Sequence, residues 1–446
     1  MHRLTSRVCV VGGGPAGFYT AQNLLKLHQT VRVDILEKLP VPYGLVRYGV
    51  APDHPEVKNV ENTFAKVANH NRCRFLGNVH VGQHVSVQTL RSLYNAVIFA
   101  YGAEKDKKLG IEGEHHRDVI SALDFVGWYN GFPDQINFQP NLHGSTAVIL
   151  GHGNVALDVA RILMSSPEAL AHTDITDYAL ERLRNSTLKR LYLVGRRGPL
   201  QVSFTVKELR EMTKLSGCRP VLNPADFQLV RERLPEIARP RKRLIELMCK
   251  TAFSPDTSRN DVEKEWHLRF FNTPRRIIIN SEGNLEGVEF EVNQLDKSGK
   301  AIGTGDLVFV PCSLVIRSIG YHSVSIDSEI PFDNVKGIIP NDQGRVGKGF
   351  YCSGWVKTGP VGVIASTMTN AMETAKALVE DLEGGLLEKR ESDQDLVDVL
   401  EGRVISFQDW EKIDRAEIDE GRRTGKLREK IVSVEKMMDI ALNTDL

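Results

Sequence analysis

Two stretches of this chain share one grammar, and that duplication constrains the fold more than any other feature. At the N-terminus, VCVVGGGPAGFYTAQNLL (8–25) runs an apolar strand into a glycine turn and on into a helix, and TAVILGHGNVALDVARIL (146–163) does the same. A tight turn between strand and helix aims the unpaired N–H groups of the first helical turn, and their partial positive charge, at one spot beyond the sheet, where a phosphate is stabilised. A chain that builds this device twice is expected to hold two nucleotides.

The surrounding pattern agrees. Strand-like runs at Arg7–Val11, VRVDILEK, CRFLGNVHV and NAVIFAYG alternate with helical stretches at about Pro15–Leu27 and Val57–Asn69, which predicts a mainly parallel sheet covered by helices. After Gly102 the pattern restarts with STAVILGHGN and LKRLYLVGRRG, and helices are expected at Val206–Leu215 and Phe227–Lys250. From His267 to Ile319 the chain turns β-rich, with SEGN and KSGK as turns, and GFYCSGWVKTGPVGVI leads into a helix to about Leu382 before a polar tail. The expected fold class is α/β: two Rossmann-like dinucleotide-binding domains, of the three-layer ββα/αβα type found in flavoproteins that bind two dinucleotides. The first domain is expected to be discontinuous, 1–105 and 322–446, with the second at 106–321.

The chemistry of each turn follows from its residues. Gly12, Gly14 and Gly17 fit G-x-G-x-x-G, and Glu37 closes the next strand 20 residues beyond Gly17. Gly12 makes the turn, Gly14 lets a pyrophosphate approach, Gly17 lets helix and strand pack, and the carboxylate accepts from ribose hydroxyls. The second turn has Gly151, Gly153 and Ala156, the G-x-G-x-x-A form. Its next strand ends in GRRG, with Arg196 and Arg197 where a ribose-binding acid would otherwise stand. An acid repels a 2′-phosphate and a guanidinium pair clamps it. The first site therefore reads as tightly held FAD and the second as exchangeable NADPH, with electrons passing between them.

Three further groups of residues complete the expectation. In YCSGWVKTGPVGVIAST, a helix beginning near Val361 aims its N-terminus at an electron-rich group such as the flavin. There Trp355 covers a ring and Gly362 leaves room for a stacked nicotinamide. His54 in GVAPDHPEV and Asp158 on the second-turn helix are the polar residues placed nearest the chemistry. Arg239 and Arg243 in ARPRKRLIELM fall one helical turn apart, on one face of a basic segment, and suit an acidic protein partner.

Composition bounds the rest. Zero net charge over 446 residues, with 41% hydrophobic and 26% charged residues, fits a soluble globular chain and gives no overall attraction to nucleic acid. No window approaches the apolar length of a bilayer span, so membrane association is expected to be peripheral at most. The basic leader MHRLTSR is too short for a targeting peptide, and none is expected within the chain. The six cysteines are scattered, which argues against a CxxC pair, a zinc site or a cluster. No metal site is expected. The missing pair also disfavours a disulfide reductase on the same fold; a flavin-binding sensor or scaffold without turnover is the alternative from another class.

The segments GGGPAGFYTAQNLL, PYGLVRYGVAPDHPEVKNV, FVGWYNG, AVILGHGNVALDVARIL, VGRRGPLQVSFTVKELREM, ARPRKRLIELM and YCSGWVKTGPVGVI together resemble the adrenodoxin reductase family of mitochondrial NADPH:ferredoxin reductases. The resemblance implies FAD contacts at Ala16, Glu37, Leu45, Val81, Trp355, Gly362, Val363 and Ile364. It implies NADP contacts at His152, Gly153, Asn154, Val155, Arg196, Arg197, Glu208 and Gly362. The family has Gln at the place of His152. The resemblance further implies hydride transfer from NADPH to FAD, then two single-electron transfers to an acidic [2Fe–2S] ferredoxin that docks on Arg239 and Arg243. That ferredoxin would serve monooxygenases or iron–sulfur and haem biosynthesis. The location implied is the mitochondrial matrix, with at most a peripheral association with the inner membrane.

Overall fold

In the computed structural model the chain divides into two units. The first comprises Met1–Lys105, Asn130–Ile136 and Gly320–Leu446, the second Asp106–Tyr129 and Asn137–Ile319. The short segment Asn130–Ile136 sits with the first unit although the middle stretch of the chain surrounds it. The structure describes residues 6–254, 262–347, 349–362, 364–388, 390, 392–400, 402 and 404–443.

The first unit begins with strands β1 (Arg7–Val11), β2 (Arg32–Leu36), β3 (Cys73–Leu76) and β4 (Ala96–Phe99), all parallel, in the order β4-β1-β2-β3. Successive β1 side chains point to opposite faces, so Val8 and Val10 join the core under helix α1 (Pro15–Leu27) while Cys9 and Val11 join the core on the other face. A strand buried on both faces reads as a continuous apolar run, which is why VCVV has no polar alternation.

The second unit carries a six-stranded sheet built from β5 (Val119–Ser121), β6 (Thr146–Leu150), β7 (Arg190–Val194), β8 (Cys218–Leu222) and β9 (Lys264–Arg269), completed by a later strand. A three-stranded antiparallel sheet, β10 (Asn272–Ile279), β11 (Leu285–Leu295) and β12 (Ala301–Pro311), follows before β13 (Leu314–Arg317) enters the six-stranded sheet between β5 and β6. Ala147 and Ile149 of β6 face the helices, among them α2 (Asn154–Met164). Val148 and Leu150 face a separate core with Ile277, Val288, Phe290 and Val310 of the small sheet. Sheet, sheet and helices thus form the ββα layering. Helix α3 (Val206–Thr213) and helix α4 (Arg239–Phe253) follow β7 and β8. The expected single helix Phe227–Lys250 is broken: Gln228–Glu232 is a short helix, and a 3₁₀ turn around Pro235 separates it from α4, because proline there cannot continue the hydrogen-bond ladder.

The chain then returns to the first unit. β14 (Arg345–Gly347) pairs antiparallel with β15 (Phe350–Cys352), which adds parallel to β4. A short helix α5 (Trp355–Thr358) precedes α6 (Ile364–Glu383), which packs along α1. Helix α6 starts later than the expected Val361, since Gly359 and Gly362 both take positive φ. The expected polar tail is also structured: α7 (Phe407–Thr424) is closed by a Ser406–Asp409 capping box and buries Phe407, Trp410 and Ile413 in the first core.

Candidate functional site

At the first turn Gly12 adopts φ +115, and a Cβ there would lie 2.5 Å from the Ala100 carbonyl oxygen, so the position excludes other residues sterically and conformationally. A Cβ on Gly17 would lie 2.0 Å from the Gly12 carbonyl oxygen, which lets α1 approach its strand. The carboxylate of Glu37 is turned into this loop: Oε2 accepts from the Gly13 N–H at 2.9 Å and Oε1 from the Leu39 N–H at 3.1 Å. Burial pushes its carboxyl above the ordinary range, against the two N–H groups that favour the charge. Both oxygens keep a lone pair for further donors.

A second strand of chain arches over the glycines. Tyr43, at φ 84, donates its N–H to the Gly13 carbonyl at 2.8 Å, and a Cβ on Gly44 would stand 3.0 Å from the Gly14 Cα. A non-glycine residue at positive φ is held there by its surroundings and marks functional loops. Sequence reasoning found Leu45, the first residue of the following Leu45–Tyr48 helix, only through resemblance, and missed Gly13, Tyr43 and Gly44; the PYG triplet was the available signal. Ala16 is buried, with a Cβ on Gly354 due to lie 2.4 Å from its methyl. Val81 is buried beside its bridge partner Val85.

His54 is buried in this unit, preceding the short helix Pro55–Lys58. Trp355 is half-buried with its ring centroid 6.1 Å from that of Tyr321. Gly362 is exposed at φ +87 and Ile364 opens α6. Val363 lies outside the described residues.

At the second turn Gly151 takes φ +131, and a Cβ would lie 2.2 Å from the Ser318 carbonyl oxygen. Around Gly153 nothing lies within 4 Å of a Cβ, which leaves open space in front of the α2 N-terminus. The Asn154 Oδ1 accepts from the Thr205 N–H at 2.9 Å, Val155 is half-buried, and Ala156 is fully buried. The methyl that Gly17 cannot accept is therefore accommodated here. His152 turns its ring inward, away from this space. It lies 3.1 Å from the Leu193 carbonyl and packs edge-on against Phe270 and Phe204. Burial lowers its pKa to about 4, so the ring is neutral at physiological pH and Nε2 donates. The ring is thus engaged within the fold.

The GRRG turn is fixed through its carbonyls. Gly195 O accepts from the Asn272 N–H at 3.1 Å, Arg196 O from the Asn293 Nδ2 at 2.8 Å and Arg197 O from the Phe271 N–H at 3.2 Å. The backbone is set, while both guanidiniums are exposed. Asn293, buried on β11, is a supporting residue that sequence reasoning missed. Asp158 forms an ion pair with Arg161 at 2.8 Å, and the same buried arginine lies 3.5 Å from Glu208 and 3.6 Å from Glu211. Arg239 and Arg243 are both exposed on α4. All six cysteines are free and buried.

The two turns suit different dinucleotides. The first offers glycines in contact with backbone, an overarching loop and a buried carboxylate. The second offers an open helix N-terminus and exposed cations.

Comparison with known proteins bears on this arrangement. Residues 6–190 match the pyridine nucleotide-disulphide oxidoreductase family. The chain is 51% identical to the mitochondrial NADPH:adrenodoxin oxidoreductase of Mus musculus, over 97% of this chain and 91% of that protein. It is 43% identical to the Arabidopsis thaliana protein of the same name, over 98% and 95%. The structure of Mycobacterium tuberculosis FprA in complex with NADPH superposes with a TM-score of 0.93 at 38% identity, covering 99% of this chain and all of that one.

Proposed function

The chain belongs to the NADPH:adrenodoxin oxidoreductase family, and from that premise we propose which unit performs which part of the activity. The protein is an oxidoreductase that uses FAD and NADPH. We assign FAD to the first unit, at Gly12, Gly14, Ala16, Gly17, Glu37, Leu45, Val81, Trp355, Gly362, Val363 and Ile364. NADPH goes to the second, at His152, Gly153, Asn154, Val155, Arg196, Arg197 and Glu208, and Gly362 is proposed as an NADP contact as well. The observation that carries the assignment is the opposite chemistry of the two strand ends: a buried, hydrogen-bonded Glu37 against an exposed Arg196–Arg197 pair on a fixed backbone.

When bound, NADPH supplies a hydride, and the flavin accepts it and releases its two electrons singly to an iron–sulfur ferredoxin. The protein's own task is orientation and enclosure. Glu37 presents two oriented acceptor oxygens to a ribose, and the arginines select the 2′-phosphate. Among polar residues we place His54 and Asp158 nearest the chemistry, with Asp158 holding Arg161 rather than exchanging a proton. A disulfide substrate is disfavoured because no cysteine pair exists to relay electrons to it.

The electron acceptor is a ferredoxin of the adrenodoxin type; we further propose that it is an acidic [2Fe–2S] protein and docks on Arg239 and Arg243. The relatives' names place the protein in mitochondria, and we assign it to the matrix, at most peripheral to the inner membrane. No helix among the described residues is long and apolar enough to cross a membrane.

Charge reversal tests the docking. Arg239→Glu with Arg243→Glu places like charges opposite an acidic partner, which costs several kcal/mol at an interface. The double variant is expected to keep its flavin and its NADPH-ferricyanide activity and to lose most ferredoxin-dependent cytochrome c reduction. Undiminished cytochrome c reduction at low salt would move the docking site elsewhere.

A further inference from the structure

Helix α4 carries a third arginine between the two exposed ones. Two residues along a helix is a rotation of about 200°, so Arg241 leaves the face of Arg239 and Arg243 and turns back toward the unit. It is half-buried. Its Nη2 donates to the Val202 carbonyl at 2.7 Å and also to the Leu200 carbonyl. Both carbonyls belong to the turn by which the chain leaves Arg196 and Arg197: Gln201 donates its N–H to Gly198 at 3.0 Å, and Pro199–Gln201 forms a 3₁₀ turn. A Cβ on Gly198 would meet the Phe271 ring at 2.7 Å, so the turn is held from both sides.

No carboxylate among the described residues pairs with this group. Among the described residues Arg196, Arg197 and Arg241 form no ion pair, and Arg241 bonds only carbonyl oxygens. Burial and the neighbouring charge of Arg197 both hold the Arg241 pKa below the usual arginine range. Partly burying one cation beside another is unfavourable unless an anion joins them.

We propose that Arg241 is a positioning residue for the 2′-phosphate of NADPH: its two carbonyl bonds lock the 198–202 turn, so that Arg196 and Arg197 leave the strand in a fixed direction. This rests on the assignment of Arg196 and Arg197 to that phosphate. Selectivity for NADPH over NADH then depends on helix α4, whose outer face carries the proposed ferredoxin contacts.

The experiment measures calorimetric binding of 2′,5′-ADP and of 5′-ADP to the FAD-loaded enzyme, beside KM and kcat for NADPH and NADH with ferricyanide. R241M removes charge and both bonds; R241K keeps the charge, but its ammonium ends one bond short of the position from which Nη2 reaches both carbonyls. R241M is expected to weaken 2′,5′-ADP about tenfold, the size of one charge-assisted contact. The KM for NADPH should rise in step, with kcat, FAD content and 5′-ADP binding unchanged, and R241K should fall between. Equal weakening of both probes, or wild-type binding by R241M, would overturn the proposal. So would R241K with the full wild-type preference, since charge alone would then suffice. Should R241M fail to accumulate as holoenzyme, R241K decides by the same criterion. R196M/R197M separates the two levels: an intact preference in that variant sinks the 2′-phosphate assignment itself, whereas its collapse beside an unaffected R241M sinks only the role of Arg241.

Discussion

Removing Glu417 should loosen the proposed flavin site without touching it. Glu417 is fully buried on α7 and accepts from Arg47 Nη1 at 2.9 Å, from Arg47 Nη2, from Arg428 Nη1 at 3.1 Å and from the Ile431 N–H at 2.9 Å. Arg47 is 2% exposed and also lies over the Trp410 ring, 5.1 Å from its centroid. Glu417→Ala strands that guanidinium and one backbone N–H in a dry core. Breaking a buried pair from one side costs about 3–5 kcal/mol. At about 2–4 °C per kcal/mol for a unit of 150–250 residues, Tm should fall by roughly 6–20 °C. Because Arg47 belongs to the segment that arches over the glycine turn, where Tyr43 donates to Gly13, FAD should also be lost faster on dialysis. Scanning calorimetry and the flavin-to-protein absorbance ratio read the two effects. The paired replacement R47M/E417L should recover part of the stability, since it removes the stranded Arg47 charge while Arg428 keeps Asp414 and only the Ile431 N–H stays unpaired. An E417A protein that melts within about 2 °C of the parent, with full flavin, would refute the reasoning.

Two further outcomes follow from buried titrating groups. The folded pKa of Glu37 lies above its ordinary value because of burial, so the FAD-free protein should lose stability as pH rises from the usual carboxylate range through that raised value. Glu37→Gln should abolish this loss while lowering flavin occupancy in the purified protein; full flavin with the parental pH profile would contradict both. The folded pKa of His152 is depressed, from 6.5 to about 4, so its contribution is present above the unfolded value and is lost as pH falls from 6.5 toward about 4. His152→Gln should flatten that part of a pH-melting profile and leave the KM for NADPH unchanged; a raised KM would show that the ring, not the backbone, meets the nucleotide.

The two glycine turns were legible because their information is local: strand, turn, helix and the next strand's last residue all lie within a few tens of positions. Gly12, Gly151, Glu37 and the GRRG pair could be placed from spacing alone. The supports of those residues could not. Asn293 holds the Arg196 carbonyl from 97 positions away, and Arg47 meets Glu417 across 370. Such pairs leave no periodicity in either segment, because each is a single polar residue in an apolar or mixed context. The α7 helix was legible and went unread. Its Ser406-x-x-Asp409 box and the run Phe407, Trp410, Ile413 at helical spacing are a start signal and a buried stripe, but the polar residues between them outweighed both.

The two sites also differ in how easily a ligand can leave, and the difference follows from what surrounds each turn. At the first, a chain segment crosses the glycines with Tyr43 and Gly44 at positive φ, and that segment is tied to α7 by a buried ion pair. If FAD sits at these glycines as proposed, a movement of the arch that releases it would strain the buried Arg47–Glu417 pair. Dissociation therefore shares a barrier with local unfolding. At the second, the cations are on the surface, the space before α2 is open at Gly153, and the backbone carbonyls around Arg196 and Arg197 are already paired through the Asn293, Phe271 and Arg241 bonds. A nucleotide can leave such a site without any protein hydrogen bond breaking. On the proposed assignment, affinity there would rest on exposed phosphate contacts that water and salt replace readily, which would keep residence short. The same proposed assignment would make the first unit's cofactor resident and the second unit's a passing one, the division of labour that a two-nucleotide reductase needs at each turnover.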